Sequence, residues 1–491
     1  MRREPPKLTG KTFDLLIIGG GILGAGIARD AAMRGLSVAL IDKGDFASGT
    51  SSRSSKLIHG GFRYLEQFEF ALVAESCRER RVLQQIAPQR VKPIPFLLPV
   101  YSGDPRPLWK MRLGMTLYDL LALYRNTARH RTLSAEAAIE AEPTLNPRGL
   151  RGAILYYDCQ EDDARFCVDN ILHAVELGAV CVNYCEAGEF ISNGKRVAAV
   201  RARDVLTGDV FEVSARVIVN AAGPWVDEVL RLSNDGKATS SLSPTKGAHL
   251  LLPRVTRTHA FCFQARRDGR IMFVLPWNDC SIVGTTDTDF AGDPGHAHAE
   301  PADVEYLLEQ LNQLIPSAGI KRADVITTFA GVRALLNSDA DNPSARSREH
   351  RIHRSGENLI TVAGGKYTTY RLIARQVVDR VYETLGRRSP ACRTGEIALP
   401  VYQGNGAGTP LSEKPFVRDS DVVRACNEEM ATSVSDIMYR RTGLALSRQG
   451  DGPTSEAVSR SAATALGWSE SQRVASLTAY LDERRRGLPA G

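Results

Sequence analysis

Residues 13–42 read FDLLIIGGGILGAGIARDAAMRGLSVALID, and no other stretch of the chain narrows its fold as much. The apolar run from Phe13 to Ile18 is a buried strand and Gly19-x-Gly21-x-x-Gly24 is a tight turn. Ile22 to Arg34 has helical spacing, and Leu36 to Ile41 forms a second strand ending in Asp42. Strand, turn, helix and strand in that order make a βαβ dinucleotide unit. Gly19 and Gly21 let the backbone approach a pyrophosphate, Gly24 lets the helix pack on the sheet, and the helix N-terminus offers N–H groups to the anion. Asp42 is placed to accept hydrogen bonds from ribose hydroxyls, which disfavours a 2′-phosphate and leaves FAD or NAD as the expected cofactor.

The residues after Asp42 separate these two. A nicotinamide-binding chain would run on into another β/α unit, whereas this one enters the polar loop KGDFASGTSSRSSKLIHGG. Such a loop suits a flavin, which needs contacts along its ribityl chain and ring as well as at its pyrophosphate. Asp42, Ser48, Ser51, Ser52, Ser55 and Lys56 are the cofactor candidates here, with Leu57 and His59 next to them. Two later turns repeat the pattern. A buried strand ends in Asn220-Ala-Ala-Gly223, and another, NLITVAGG, feeds Gly364 and Gly365 into a helix that begins with Lys366, Thr368 and Thr369. Both turns can bring backbone N–H groups to an anionic cofactor.

The 491 residues are too many for one ordinary core, so two or three units are expected. Sixty-two Lys and Arg against 56 Asp and Glu give a net charge of +6. That fits anionic substrates or weak attraction to an anionic membrane surface, and falls short of a nucleic-acid-binding patch. No apolar run approaches the ~18–20 residues of a spanning helix, so the expected location is cytoplasmic, at most lying on a membrane. Nine cysteines without a C-x-x-C pair argue for a reducing compartment and against zinc or iron–sulfur ligation. Cys181 and Cys185 read as small hydrophobes on strands.

The rest of the chain divides into a cofactor part and a substrate part. Phe68 to Ile86 is an amphipathic helix, and VKPIPFLLPVY at 91–101, with three prolines, is an edge strand or a crossing segment. Trp109 to Tyr124 is apolar at helical spacing with Lys110, Arg112 and Arg125 near its ends. A buried or surface-packed helix is the commoner meaning of such a stripe, a membrane interface the rarer one. Short strands over 245–290 form a separate antiparallel sheet, the expected wall of a substrate cavity. The expected organisation is α/β: a Rossmann-type FAD-binding domain (13–90, 150–225 and 325–387) interleaved with an antiparallel substrate sheet (91–149 and 226–324). A linker at 388–412 then leads to a small helical domain over 413–491.

The segments SSKLIHGGFRYLE, VNAAGPWVD, TKGAHLLLPR, FVLPW, SIVGTTDTDF, GVRALL and GGKYTTYR together closely resemble the FAD-dependent, membrane-associated (aerobic-type) glycerol-3-phosphate dehydrogenases, in that family's order, from about Phe13 to Thr384. The resemblance implies a glycine-oxidase-like or D-amino-acid-oxidase-like fold and noncovalent FAD. It also implies oxidation of sn-glycerol 3-phosphate to dihydroxyacetone phosphate with electrons passed to quinone, peripheral attachment to the inner face of the cytoplasmic membrane, and room for a homodimer. Matched residue by residue, it puts Arg63, Tyr64, His249, Arg333, Arg348 and Lys366 around the substrate. His249, Arg333 and Lys366 are then the catalytic candidates. Histidine suits removal of the C2 hydroxyl proton because its pKa ordinarily lies near operating pH. His59 is the rival base, read as positioning the loop or the cofactor, and Arg333 would polarise the C2 oxygen. The chain departs from the family at Ala334, where proline is usual, and in a shortened C-terminal region, which puts membrane attachment and dimerisation in doubt. A glycerol-3-phosphate oxidase that uses oxygen shares these motifs, and an FAD-dependent hydroxyacid or amino-acid oxidoreductase is the more distant alternative.

Overall fold

The computed structural model describes residues 2–233, 242–337, 349–402 and 406–488, without the side chains of Arg63 and Gln67. Two sheets carry the chain. In the first, of eight strands, Thr12–Ile18 lies at the centre, paired in parallel with Val38–Ile41 on one side and Val210–Asn220 on the other. Val180–Val182 and Leu359–Gly364 extend it outward in parallel, and His350–Ser355 closes one edge antiparallel. Residues 15–18, 38–41 and 217–219, side by side at the centre, are apolar and buried, as a sheet covered on both faces requires. Ile18 pairs with both Ile41 and Asn220, and Asn220 with Thr361. The carboxyl ends of three strands are therefore level and the fourth runs three residues past them to Gly364, so that Gly19, Asp42, Gly223 and Gly364 lie along one edge. That edge is where open α/β sheets bind ligands.

Three helices, Ile22–Met33, Asp163–Glu176 and Tyr370–Thr384, pack on this sheet. The first and third touch where the helix has no side chain: a Cβ on Gly26 would lie 2.6 Å from the Tyr370 ring. Cys181 and Cys185 are buried on consecutive strands, as expected.

The second sheet has ten strands, mostly antiparallel. Its buried centre runs through Thr245–Pro253, flanked by Cys280–Gly284 and Thr327–Arg333. The proline-rich segment Val91–Tyr101 belongs here as well, and is not an edge. It pairs along its length with Leu150–Glu161 and on its other side with Ala260–Gln264. Pro93, Pro95 and Pro99 alternate, so their missing N–H groups all fall on one edge of the strand, and the second neighbour pairs only at Phe96 and Leu97. Leu57–Ile58, Leu150–Glu161 and Thr327–Arg333, expected in the cofactor half, also lie in this second sheet. The short Leu57–Ile58 strand is thus where the cofactor loop crosses from one sheet to the other.

The segment before residue 402 packs on the first domain, with Arg29 donating to the carbonyls of Thr394 and Ile397. Beyond it, the helices Asp419–Glu428, Pro453–Leu466 and Glu470–Arg486, with a π-helical turn at Asp436–Arg441, bury their own core of Val422, Ile437, Met438, Leu444, Val458 and Tyr480. Among the described residues no helix is long and apolar enough to cross a membrane.

Candidate active site

A cavity of about 930 Å³ lies between the two sheets, lined by the carboxyl-end turns of the first and the inner face of the second. Its cofactor half is built from backbone. Gly19 has φ 109°, and a Cβ there would come within 2.6 Å of the Ala221 carbonyl; one on Gly24 would lie 1.8 Å from the Gly19 carbonyl. Neither position can carry a side chain without moving the turn. Gly21 caps the following helix without a side-chain bond, leaving its first-turn N–H groups toward the cavity. Ser51 takes one of them, accepting from Ile22 N–H at 2.9 Å. Asp42 is held by the N–H groups of Gly20 (2.6 Å) and Gly44 (2.8 Å), so its carboxylate keeps lone pairs for ribose hydroxyls. Burial pushes its pKa up to about 6 against the pull of those two bonds. Across the same end, Lys43 sits over the Trp225 ring at 4.5 Å, beside Gly223. A shaped backbone cradle, a helix N-terminus and a ribose-binding acid together fit the ADP half of FAD.

The remaining cofactor candidates divide. Ser48, Ser55, Leu57, His59, Gly223, Gly364, Gly365, Lys366 and Thr368 line the cavity. Gly364 and Gly365 have φ values of 77° and 93°, which turn the chain sharply into the next helix. Ser52 and Lys56 do not line the cavity. The Ser52 hydroxyl turns back to the Gly49 carbonyl, and Lys56 is buried in an ion pair with Asp163, its ammonium also bonded to the Ser52 carbonyl at 2.7 Å. The Lys56 charge holds the loop closed from behind.

On the facing wall, a row of four residues crosses the second sheet in register: Phe329, His249, Gly284 and Phe273. The His249 ring stacks on Phe329 with centroids 4.7 Å apart and planes 9° apart. It extends over Gly284, where a Cβ would lie 2.3 Å from its Cδ2. His249 is 3 % exposed, and its Nε2 is hydrogen-bonded to Ser55 Oγ at 2.8 Å. Burial, then the charges of Arg333 and Lys56, push its pKa down to about 3. The expectation of an imidazole titrating near operating pH is thereby corrected: in the protein alone His249 is neutral.

Arg333 reaches the same place from the neighbouring strand. Its guanidinium is fixed by Asp287 at 2.9 Å and Thr285 Oγ1 at 3.0 Å, and it lies over Gly247, whose Cβ would be 2.3 Å from Nη2. Opposite stands Lys366, its ammonium 3.7 Å from the centroid of the Tyr64 ring. Tyr64 in turn packs against Gly61, which has φ 72°. His249, Arg333, Lys366 and Tyr64 thus line one cavity. Arg348 and the side chain of Arg63 lie outside the described residues. Thr285, Asp287, Phe329 and Trp225 are site residues that sequence reasoning misses. Thr285 and Asp287 have a signal, the polar run TTDTD, and Trp225 lies two residues past the Gly223 turn; Phe329 depends on which strands become neighbours.

The sequence profile of the family described as "FAD dependent oxidoreductase" matches residues 14–380, and one described as "C-terminal domain of alpha-glycerophosphate oxidase" matches 369–473. An alpha-glycerophosphate oxidase of Streptococcus pneumoniae is 39% identical, over 77% of this chain and 72% of its own length. The aerobic glycerol-3-phosphate dehydrogenase of Bacillus subtilis is 38% identical, over 82% and 73%. The chain belongs to this family. Its fold agrees: the structure of the Bacillus halodurans glycerol-3-phosphate dehydrogenase complexed with FAD superposes with a TM-score of 0.79 at 28% identity, covering 98% of this chain and 96% of that one. A glycine oxidase from Geobacillus kaustophilus, at 19% identity and a TM-score of 0.59, shares the fold over 80% of this chain. FAD is accordingly the cofactor of this flavoprotein, and its βαβ cradle fits that group.

Proposed function

We propose that this flavoprotein oxidises sn-glycerol 3-phosphate at C2 to dihydroxyacetone phosphate and passes the electrons to a quinone at the inner face of the cytoplasmic membrane. The observation that carries the reading is a buried imidazole in the same cavity as a fixed guanidinium, an ammonium and the cofactor cradle. The relatives' names point to the same substrate. A phosphate dianion calls for several charge-assisted donors. Lys366 supplies one, and Arg63 and Arg348 are the further candidates from the motifs they occupy. FAD, when bound, takes up the hydride that leaves C2. The protein's part is to hold the alcohol and remove its proton. Arg333, held by Asp287, donates toward the C2 oxygen as charge develops there, and His249 receives the hydroxyl proton. The incoming dianion offsets the field of Arg333 and Lys56, raising the basicity of His249 when substrate is present.

The membrane part rests on a second feature. Phe68 (77 % exposed), Trp109 (69 %), Leu113 (64 %) and Leu123 (63 %) form an apolar patch where Phe62–Gln67, Phe70–Ile86 and Leu108–Leu121 pack together. Lys110, Arg112 and Arg125 neighbour these residues in sequence. Apolar side chains ringed by cations suit an anionic bilayer surface. Co-sedimentation with phosphatidylglycerol-containing vesicles, lost in a Trp109→Ser/Leu113→Ser variant, tests that surface.

The reaction is tested by anaerobic flavin bleaching with sn-glycerol 3-phosphate, using glycerol and lactate as controls, followed by quinone or air. Bleaching by the phosphate alone, reversed fast by quinone and slowly by air, supports the dehydrogenase. Fast reversal by air makes the chain an oxidase, a reading favoured by the similarity to the streptococcal enzyme. No bleaching overturns the substrate.

A further inference from the structure

A base acting on the alcohol directly needs open space around its ring, and the surroundings of His249 leave little. One face is covered by Phe329, and the Gly284 side of the ring is filled by the strand beneath. Nδ1 is buried and has no hydrogen-bond partner among the described residues. Nε2 is therefore the nitrogen with a polar route to the cavity, and that route passes through Ser55 Oγ at 2.8 Å. Ser55 itself lines the cavity and is half-buried, and among the described residues its hydroxyl has no other partner. The neighbouring hydroxyl, Ser54, is bound to Asp163 at 2.7 Å, so the two serines have different roles.

We propose that Ser55 is a catalytic residue of this site: its hydroxyl donates to His249 Nε2 and relays the substrate's C2 hydroxyl proton to the imidazole. This rests on the oxidation reading above. A serine hydroxyl has one proton to donate and two lone pairs. With that O–H directed at Nε2, only acceptor capacity faces the cavity, which matches an alcohol O–H and repels a carboxylate or phosphate oxygen. The site thereby distinguishes the two ends of its substrate: at C2 the Ser55 lone pairs meet the hydroxyl proton and Arg333 the oxygen, while Lys366 meets anionic oxygens. In the step itself, the C2 O–H proton passes to Ser55 Oγ as the Ser55 proton passes to His249 Nε2. The C2–H bond breaks with its electron pair going to the oxidised flavin, and the C2–O bond becomes a carbonyl. The serine ends neutral, the imidazole carries the extra proton, the alcohol is oxidised by two electrons and the flavin is reduced by two.

The test uses the FAD-loaded full chain with ¹⁵N-labelled histidines, the His249 resonance being assigned by its loss in His249→Asn. The expected resting tautomer has Nε2 unprotonated and hydrogen-bonded, and Ser55→Ala shifts that resonance in protein compared at equal FAD occupancy. In stopped flow, Ser55→Ala should slow flavin reduction by sn-glycerol 3-phosphate about 100-fold with substrate binding changed less than about threefold, and Ser55→Thr should restore most of the rate. The proton inventory of reduction should be curved in the wild type, with two protons in flight, and lose that curvature in Ser55→Ala. A protonated Nε2 in the resting enzyme, or a Ser55→Ala protein reduced at the wild-type rate, overturns the relay. If Ser55→Ala fails to fold, the wild-type tautomer and the Ser55→Thr inventory still decide. Absence of wild-type bleaching would remove the substrate reading instead, leaving the tautomer as an independent readout of the Ser55–His249 pair.

Discussion

Glu161 shows how far one buried group can be separated from function and still matter. It ends the Leu150–Glu161 strand, is 1 % exposed, and neither carboxyl oxygen has a partner among the described residues. Burial first, and then the charge of Asp163, push its pKa well above the usual carboxylate range, against the pull of Lys56. A folded-state pKa above the unfolded value of ~4.3 means that the native state binds the extra proton, so stability falls as pH rises beyond that point. Glu161→Gln keeps the neutral shape without the titration. Urea melts should therefore show a variant equal to wild type near pH 4 and more stable at pH 8, by an amount on the order of 1–3 kcal/mol. Arg333 is the contrasting case, a charge spent on geometry. Its fork is held by Asp287 and Thr285 together, and a lysine cannot reproduce that planar pair of bonds. Arg333→Lys should lower the rate constant of flavin reduction by about 100-fold or more while the FAD content stays at wild type. Single-turnover absorbance with sn-glycerol 3-phosphate measures both.

At the scale of elements, the strand-to-helix turn at 18–24 is the part most exposed to a one-atom change. A Cβ on Gly24 would lie 1.8 Å from the Gly19 carbonyl, and backbone cannot yield as a flexible side chain would. Gly24→Ala should yield protein that folds but purifies with little flavin, read from the ratio of flavin to protein absorbance. Gly284→Ala makes the milder test, since its methyl meets the edge of the His249 ring; FAD should be retained and reduction slowed. These two glycines also separate what a sequence can tell from what it cannot. Gly19, Gly21, Gly24 and Asp42 are legible because the βαβ signature is local: every part lies within thirty residues and each has one physical job. His249 is legible by its motif, but its low pKa is not. That depends on burial, to which Phe329 contributes, and then on Arg333 and Lys56, all arriving from strand and loop positions far away in sequence. The proline strand at 91–101 misleads because proline argues against a central strand, and only the alternation of Pro93, Pro95 and Pro99 against a short second neighbour reconciles the two. Lys56 misleads because a lysine in a polar loop looks the same whether it faces a phosphate or a buried carboxylate.

At the scale of the whole molecule, the C-terminal helical domain bears on the cofactor through buried charge. Asp45 lies three residues beyond Asp42, in the loop whose next members Ser48, Gly49, Thr50 and Ser51 line the cavity. It is fully buried, and its carboxylate accepts from Arg440 Nε at 2.6 Å and from Arg441 at 2.8 and 2.9 Å, both arginines coming from the π-helical turn Asp436–Arg441. Burial alone would raise the Asp45 carboxyl, but Arg441 and Arg440 hold it down at about 2. Its contribution is therefore complete above the unfolded pKa of ~3.9 and is lost only as pH falls from there toward 2. The same domain grips the other wall, where Trp277 Nε1 donates to the Leu446 carbonyl at 3.0 Å and Thr328 N–H to Gly487 at 2.6 Å. The cofactor loop and the substrate sheet are thus both tied to one helical body. Removing one member of a buried, fully bonded charge cluster leaves the others unpaired and costs about 3–5 kcal/mol, and here that cost falls on the loop against which FAD must bind. Asp45→Asn should accordingly release flavin faster than wild type at neutral pH, seen as rising free-flavin fluorescence on dilution. Proteolysis should at the same time cut first between the cofactor domain and the C-terminal domain. A variant that keeps its flavin and its protease resistance would mean that the C-terminal domain is merely attached to the cofactor loop and does not brace it.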